Sequence, residues 1–359
     1  MQLVDWDLAV ATAVRLVPPG PRLELADATA IVDDLRHLAA QAEQHVTAYT
    51  GLPAGADGVG FAVVDRPGWI RSNVAAFTDL VDPLIETVLD KRAKPIGPVM
   101  SVVGPRATGV EVGALLAYLG TRVLGQFELF GPPPTEGNPG GRLTLVAPNI
   151  VAVEQALAVD PHDFRLWVCL HEVTHRTQFA AAPWLHEHVR SLLRDYISAS
   201  DLDPAALMGR LKQALRGVGE TVRGQSELSL LELVQTPEQQ AVLDRVTGLM
   251  SLLEGHADVV MDGVGPQVVP SVQTIRGRFE QRRRAGSAFD RAVRRLFGLD
   301  MKMRQYAEGA AFVRAVVDAV GMDGLNKVWQ SPALLPDAAE IRDPAAWLGR
   351  TGAPPAITA

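Results

Sequence analysis

Apolar residues recur at three- and four-residue spacing along most of this chain, and that spacing confines it to a largely helical fold. From Leu25 to Tyr49, the residues Ile31, Leu35, Leu38 and Ala42 fall on one stripe, as in an amphipathic helix with one face turned to a core. The same spacing predicts helices over Val74 to Leu89, Val110 to Leu124, Phe164 to Ala180 and His186 to Tyr196. It continues through Ala205 to Val218, Glu238 to Met261, Val272 to Arg284 and Met301 to Val320. Strand signals are short runs bounded by Gly and Pro: Gly60 to Val64, Val99 to Val103 and Leu143 to Ala147. The expected class is mainly α with a small β component.

The segment Gly131 to Gly141 (GPPPTEGNPGG) holds four prolines and four glycines, which no regular element tolerates. It divides an N-terminal, mostly helical region (1–130) from a region (131–359) that carries the chemistry; the two are also compatible with one continuous domain. The tail after Gly349 reads as loose. With 359 residues and 47% hydrophobic content the chain has ample material for a core. A net charge of -7 gives no support for a nucleic-acid partner. The one basic run, Arg276 to Arg284, is expected as a solvated helix face. Cys169 is the single cysteine, so no intrachain disulfide forms, and its apolar neighbours mark it as a small buried hydrophobe. The N-terminus (MQLVDWDLAV) has two Asp and no basic residue, unlike a secretory signal. No apolar run reaches the ~18 residues of a membrane span. A cytoplasmic protein without a membrane partner is expected; its oligomeric state is not legible.

The chemistry concentrates in His171-Glu172-Val173-Thr174-His175. Residues four apart on a helix lie one above the other, so His171 and His175 can offer two imidazoles to one ion. Glu172 follows the first ligand and can reach the position where a water would bind. This is the H-E-x-x-H arrangement of two zinc ligands and a general base. Apolar neighbours Phe164, Leu166, Trp167, Val168 and Leu170 imply a buried helix, the dry surrounding that such chemistry needs.

A catalytic zinc site takes a third protein ligand and leaves one position open. A histidine six residues after the second is one source, but Gln178 and Ala181 stand where that pattern requires Gly and His. His186 and His188 fall too late for it and read as residues of the next helix. Glu254, in Leu252-Leu253-Glu254-Gly255-His256-Ala257-Asp258, is the better source. It interrupts an apolar helical run, and a carboxylate buried there is costly unless paired or ligated. Gly255 and Ala257 are small enough to admit a close approach of the metal helix. Asp258 shares the face of Glu254 and is placed to accept the second ring N–H of a ligand histidine, His171 being the expected partner. His256 points to another face; a ligand, a hydrogen-bond donor and a structural residue all remain open for it.

H-E-x-x-H followed by Glu254 and Asp258 resembles the glutamate-type zincins. More closely, the chain resembles a bacterial family of zincin-like metallopeptidases, some members of which carry hydrolase or deazaflavin-cofactor-biosynthesis-associated labels. The stretches that carry the likeness are Asp65 to Ile70, Leu124 to Phe127, His171 to Phe179, Pro183 to Leu185, Leu253 to Asp258 and Met301 to Gly309, spread over nearly the whole chain. The resemblance implies a zincin-like fold with Zn2+ at His171, His175 and Glu254. About 80 residues separate His175 from Glu254, far more than in the well-known glutamate-type enzymes.

The function expected is a zinc-dependent hydrolase, acting on a peptide or protein through a zinc-activated water with Glu172 as base. Tyr306 is the chosen oxyanion stabiliser, with Arg304 or His256 as substitutes. The run Leu143 to Ala147 is a candidate edge strand for an extended substrate. A zinc-containing binding or scaffolding protein is the competing reading; Glu172 favours hydrolysis, because a structural zinc site needs no base and is closed by four ligands. No phosphate-cradling glycine loop accompanies the cofactor-biosynthesis label.

Overall fold

In a computed structural model, residues 4–54, 61–90, 98–128, 141–199, 237–284 and 299–352 are described. Side chains of 79–90, 98–103, 197 and 299–306 fall outside that description, as does the expected helix Ala205 to Val218. The chain forms two compact units, Met1–His186 with Ala257–Arg283 and Glu187–His256 with Arg284–Ala359.

The first unit is built on α1 (Trp6–Leu16), α2 (Leu25–Thr50), β1 (Ala62–Val64), α3 (Arg66–Asp90), α4 (Pro98–Leu119), β2 (Gly125–Phe127) and β3 (Leu143–Val146). It continues with α5 (Ala147–Leu157) and α6 (Pro161–Ala181). The mainly α class with little β stands. One expected strand does not: Val99 to Val103 lies in α4. A five-residue apolar run cannot by periodicity be told from a buried helical segment, and the bounding Gly104 and Pro105 sit inside the helix rather than ending a strand.

The three strands form one sheet in the order β1-β3-β2, β1 parallel and β2 antiparallel to β3. β3 is buried along its whole length. Leu143 to Ala147 is therefore not an edge strand but the middle one; the antiparallel edge is β2. Leu124 and Glu128 bond to Val146 and Arg142 across that pair. The alternation of an antiparallel ladder turns the intervening Gly125 and Phe127 backbone groups away from β3, to a side where no strand pairs among the described residues.

α6 starts at Asp160, whose carboxylate accepts the Asp163 N–H, with Pro161 in the first turn. It is apolar on more than one face: Phe164, Leu166, Val168, Cys169, Leu170, Val173 and Phe179 are all buried, as expected of a helix enclosed by others. The α2 stripe Leu35, Leu38, Ala39, Ala42 and Val46 packs in the same core. Ion pairs fix the docking: Arg165 meets Asp34 at 2.9 Å and Glu154 at 2.7 Å, and Arg176 meets Glu43 at 3.3 Å. Burial pushes the Cys169 thiol well above its usual range, with Glu172 and Asp34 adding to the effect. Such a thiol is inert packing.

The second unit holds α7 (Trp184–Ser198, from Glu187 on), α8 (Pro237–Val264, as far as His256), α10 (Leu299–Leu325), α11 (Ala338–Arg342) and α12 (Pro344–Thr351). The rest of α8 and α9 (Val272–Arg284), as far as Arg283, belong to the first unit. α8 and α10 cross with backbones touching, since a Cβ on Gly255 would collide with Gly309 and one on Gly309 with Ser251. The smallness of Gly255 thus serves α10, a correction to the expectation that it admits the metal helix. Trp347 is fully buried, edge-on to Phe312 at 5.7 Å, and donates from Nε1 to the Leu334 carbonyl at 2.9 Å.

The basic run on α9 is not a wholly solvated face. Arg276 stands 2.9 Å from both Asp258 and Asp262. Arg278 donates to the Leu157 carbonyl at 2.8 Å, closing the C-terminus of α5. Among the described residues no helix is long and apolar enough to cross a membrane.

Candidate metal centre

His171 and His175 project one turn apart from α6, ring centroids 4.8 Å apart and planes nearly perpendicular at 88°. Their Nε2 atoms face each other at 3.3 Å. His175 Nδ1 lies 3.0 Å from the Gln178 amide oxygen. An amide oxygen only accepts, so Nδ1–H is the donor in this pair, and Nε2 is the nitrogen turned to His171. Gln178 is fully buried and occupies one of the positions that excluded the three-histidine pattern.

Glu254 completes the cluster: one carboxylate oxygen and the two imidazole nitrogens all lie within 4.8 Å of one another. α8 runs unbroken from Glu254 through Asp258, and its later residues Val260 and Met261 pack in the core that also buries α6. The donor set fits a borderline-soft cation. Two nitrogens about 2.0–2.1 Å from one tetrahedral zinc stand roughly 3.3 Å apart, the separation found between the two Nε2 atoms.

Glu172 is 8% exposed. Its side chain lies over Gly125 on β2, where an added Cβ would come within 2.6 Å of Glu172 Cγ and 2.7 Å of Cδ. Space, rather than unusual backbone torsion, is what this position needs from glycine. The periodicity reading could not have found Gly125, because its partner is 47 positions away in the sequence; the only signal was its place in Leu124 to Phe127.

Asp258 is ion-paired to Arg276. His256 is fully buried with its ring 5.4 Å from that of Trp329. His186 is buried against Phe179 and Phe127, at 5.0 and 5.9 Å, a packing role. Among the described residues the metal cluster includes none of His186, His188 and His256. Tyr306 and Arg304 lie on α10, but their side chains are outside the described residues.

A family model described as zincin-like metallopeptidase matches residues 4–348. The fold is also that of a crystal structure of "a putative hydrolase with a novel fold" from Chloroflexus aurantiacus. That chain is 33% identical, with 98% of this chain and 99% of that one covered and a TM-score of 0.70. No curated protein matches. A helix offering two facing imidazoles, a carboxylate from a second helix and full-length agreement of sequence and fold lead to one assignment: the chain belongs to the zincin-like metallopeptidase family.

Proposed function

We propose that this protein is a zinc-dependent hydrolase that cleaves peptide or amide bonds, with His171, His175 and Glu254 as ligands and Glu172 as general base. The observation that carries the reading is the convergence of two imidazole Nε2 atoms and one distant carboxylate, with the buried Glu172 adjoining His171 in the same helix. A zinc ion bound there supplies Lewis-acid polarisation and makes water acidic near neutral pH. Glu172, held against β2, takes the proton of the attacking water and returns it to the leaving amine. Gln178 keeps His175 in the tautomer that presents Nε2. Asp258, one turn beyond Glu254 and tied to Arg276, orients His171 in our reading. The Gly125 and Phe127 backbone on the free side of β2 offers an extended peptide an antiparallel partner beside Glu172. Tyr306 is the proposed oxyanion donor.

The test combines metal analysis of the purified chain with digestion of a broad peptide library. Stoichiometric zinc and chelator-sensitive cleavage are expected. Glu172→Gln should keep its zinc and lose about 10²- to 10⁴-fold in rate. Undiminished cleavage by that variant removes Glu172 from the mechanism, and a chain without stoichiometric transition metal removes the reading altogether.

A further inference from the structure

α3 turns one face toward the sheet. Trp69, Ser72, Asn73 and Ala76 follow helical spacing, with Phe77 at its rim. Gln126 of β2 and Glu128 just after it reach α3, while Gly125 and Phe127 face α6, as the period of two requires. Between them is a cavity of about 70 Å³, lined by Ser72, Asn73, Ala76 and Phe77 of α3 and by Gln126 and Phe127 of β2 with Glu128 just after it. That is several times the ~10–15 Å³ one water needs, enough for a branched aliphatic group.

The polar groups of the wall are already engaged. Trp69 Nε1 donates to Gln126 Oε1 at 2.9 Å, Gln126 Nε2 to Asn73 Oδ1 at 3.0 Å, and Asn73 Nδ2 to the Trp69 carbonyl at 2.9 Å. Glu128 accepts from Ser72 at 2.8 Å, Thr144 at 2.6 Å and Arg142 at 3.0 Å. What the wall offers an occupant is carbon, chiefly Ala76 and Phe77. Phe77 is 38% exposed, among the few large apolar side chains left open to solvent.

We infer that this cavity is a substrate-side-chain subsite selecting an aliphatic residue in the peptide. The inference rests on the proposed peptidase reading and deepens it. Directly opposed residues of an antiparallel pair share a face of the sheet. A peptide laid along the free side of β2 therefore turns the residue opposite Gln126 toward α3 and into the cavity. The two neighbouring residues point the other way, toward the Glu172 side. Each wall group being satisfied internally, a charged or amide side chain would enter with no partner, a desolvation loss that an aliphatic one avoids.

The test uses the full-length, zinc-loaded Glu172→Gln variant and a positional-scanning array of N-acetylated, C-amidated hexapeptides, read as binding. One position should favour Leu, Ile or Val over Gly and over charged residues by about tenfold. Adding Ala76→Trp, which fills the cavity, should flatten that position. Adding Phe77→Ala, which enlarges it at an exposed site, should move the preference to Phe and Tyr. No binding, no aliphatic preference, or profiles that neither variant alters would overturn the subsite. A parallel digest by the parent protein keeps the two readings apart: an array preference that responds to both variants, without any cleavage, sinks the peptidase and retains the subsite.

Discussion

The two faces of β2 meet different neighbours. On the α6 side, Gly125 contributes no side chain and the carboxylate of Glu172 fills the space, with Phe127 stacked on Phe179 at 5.0 Å beyond it. On the α3 side, Gln126 and Glu128 are held by Trp69, Asn73, Ser72, Thr144 and Arg142. One strand of three residues thus faces the Glu172 side chain with bare backbone on one side and a closed polar network on the other. The contrast sets up a division: a change on the first face should alter the chemical step, and one on the second should alter folding and side-chain preference but not kcat.

The sharpest challenge to that division is Gly125→Ala. The new methyl meets Glu172 Cγ and Cδ, a side chain rather than backbone, so zinc content and thermal midpoint should hold while hydrolysis falls about 100-fold, the cost of a misplacement near 1 Å. Steady-state rates with calorimetry and metal analysis check this; an unchanged rate would show that the base does not depend on the bare backbone. Glu128→Ala should do the reverse. It leaves Ser72 and Thr144 without their acceptor, while Arg142, 45% exposed, regains water. A loss of about 2 kcal/mol in denaturant unfolding is expected, with kcat of the remaining folded enzyme unaltered. Trp69→Phe, which removes the donor to Gln126 Oε1, should cost about 1 kcal/mol by the same measurement. A large kcat effect from either variant would mean that the two faces are coupled.

Glu172 and its histidine neighbours were readable because all their geometry is local. A helix fixes the i, i+4 relation whatever surrounds it. Glu254 was singled out for a different reason, as a carboxylate in an apolar run; one of its oxygens lies within 4.8 Å of an imidazole nitrogen of each histidine. The roles assigned to Gly255 and to β3 did not survive, because both depended on which element lies alongside. α10 rather than α6 takes the space at Gly255, and β3 lies between two strands. The basic run misled for the same reason, since Arg276 and Arg278 find partners on α8 and at the end of α5.

Helical spacing, the two imidazoles on one face and a candidate carboxylate companion were thus legible in the sequence alone, through interactions that reach no further than one turn or through the cost of burying charge. Which strand is the edge, the bare floor beneath Glu172, the amide that fixes the His175 tautomer in a buried site and the cavity beside α3 came only from tertiary structure. Each of these is a matter of distance between chain segments, and hydrophobic packing, which brings such segments together, is non-directional and leaves no local mark in either of them.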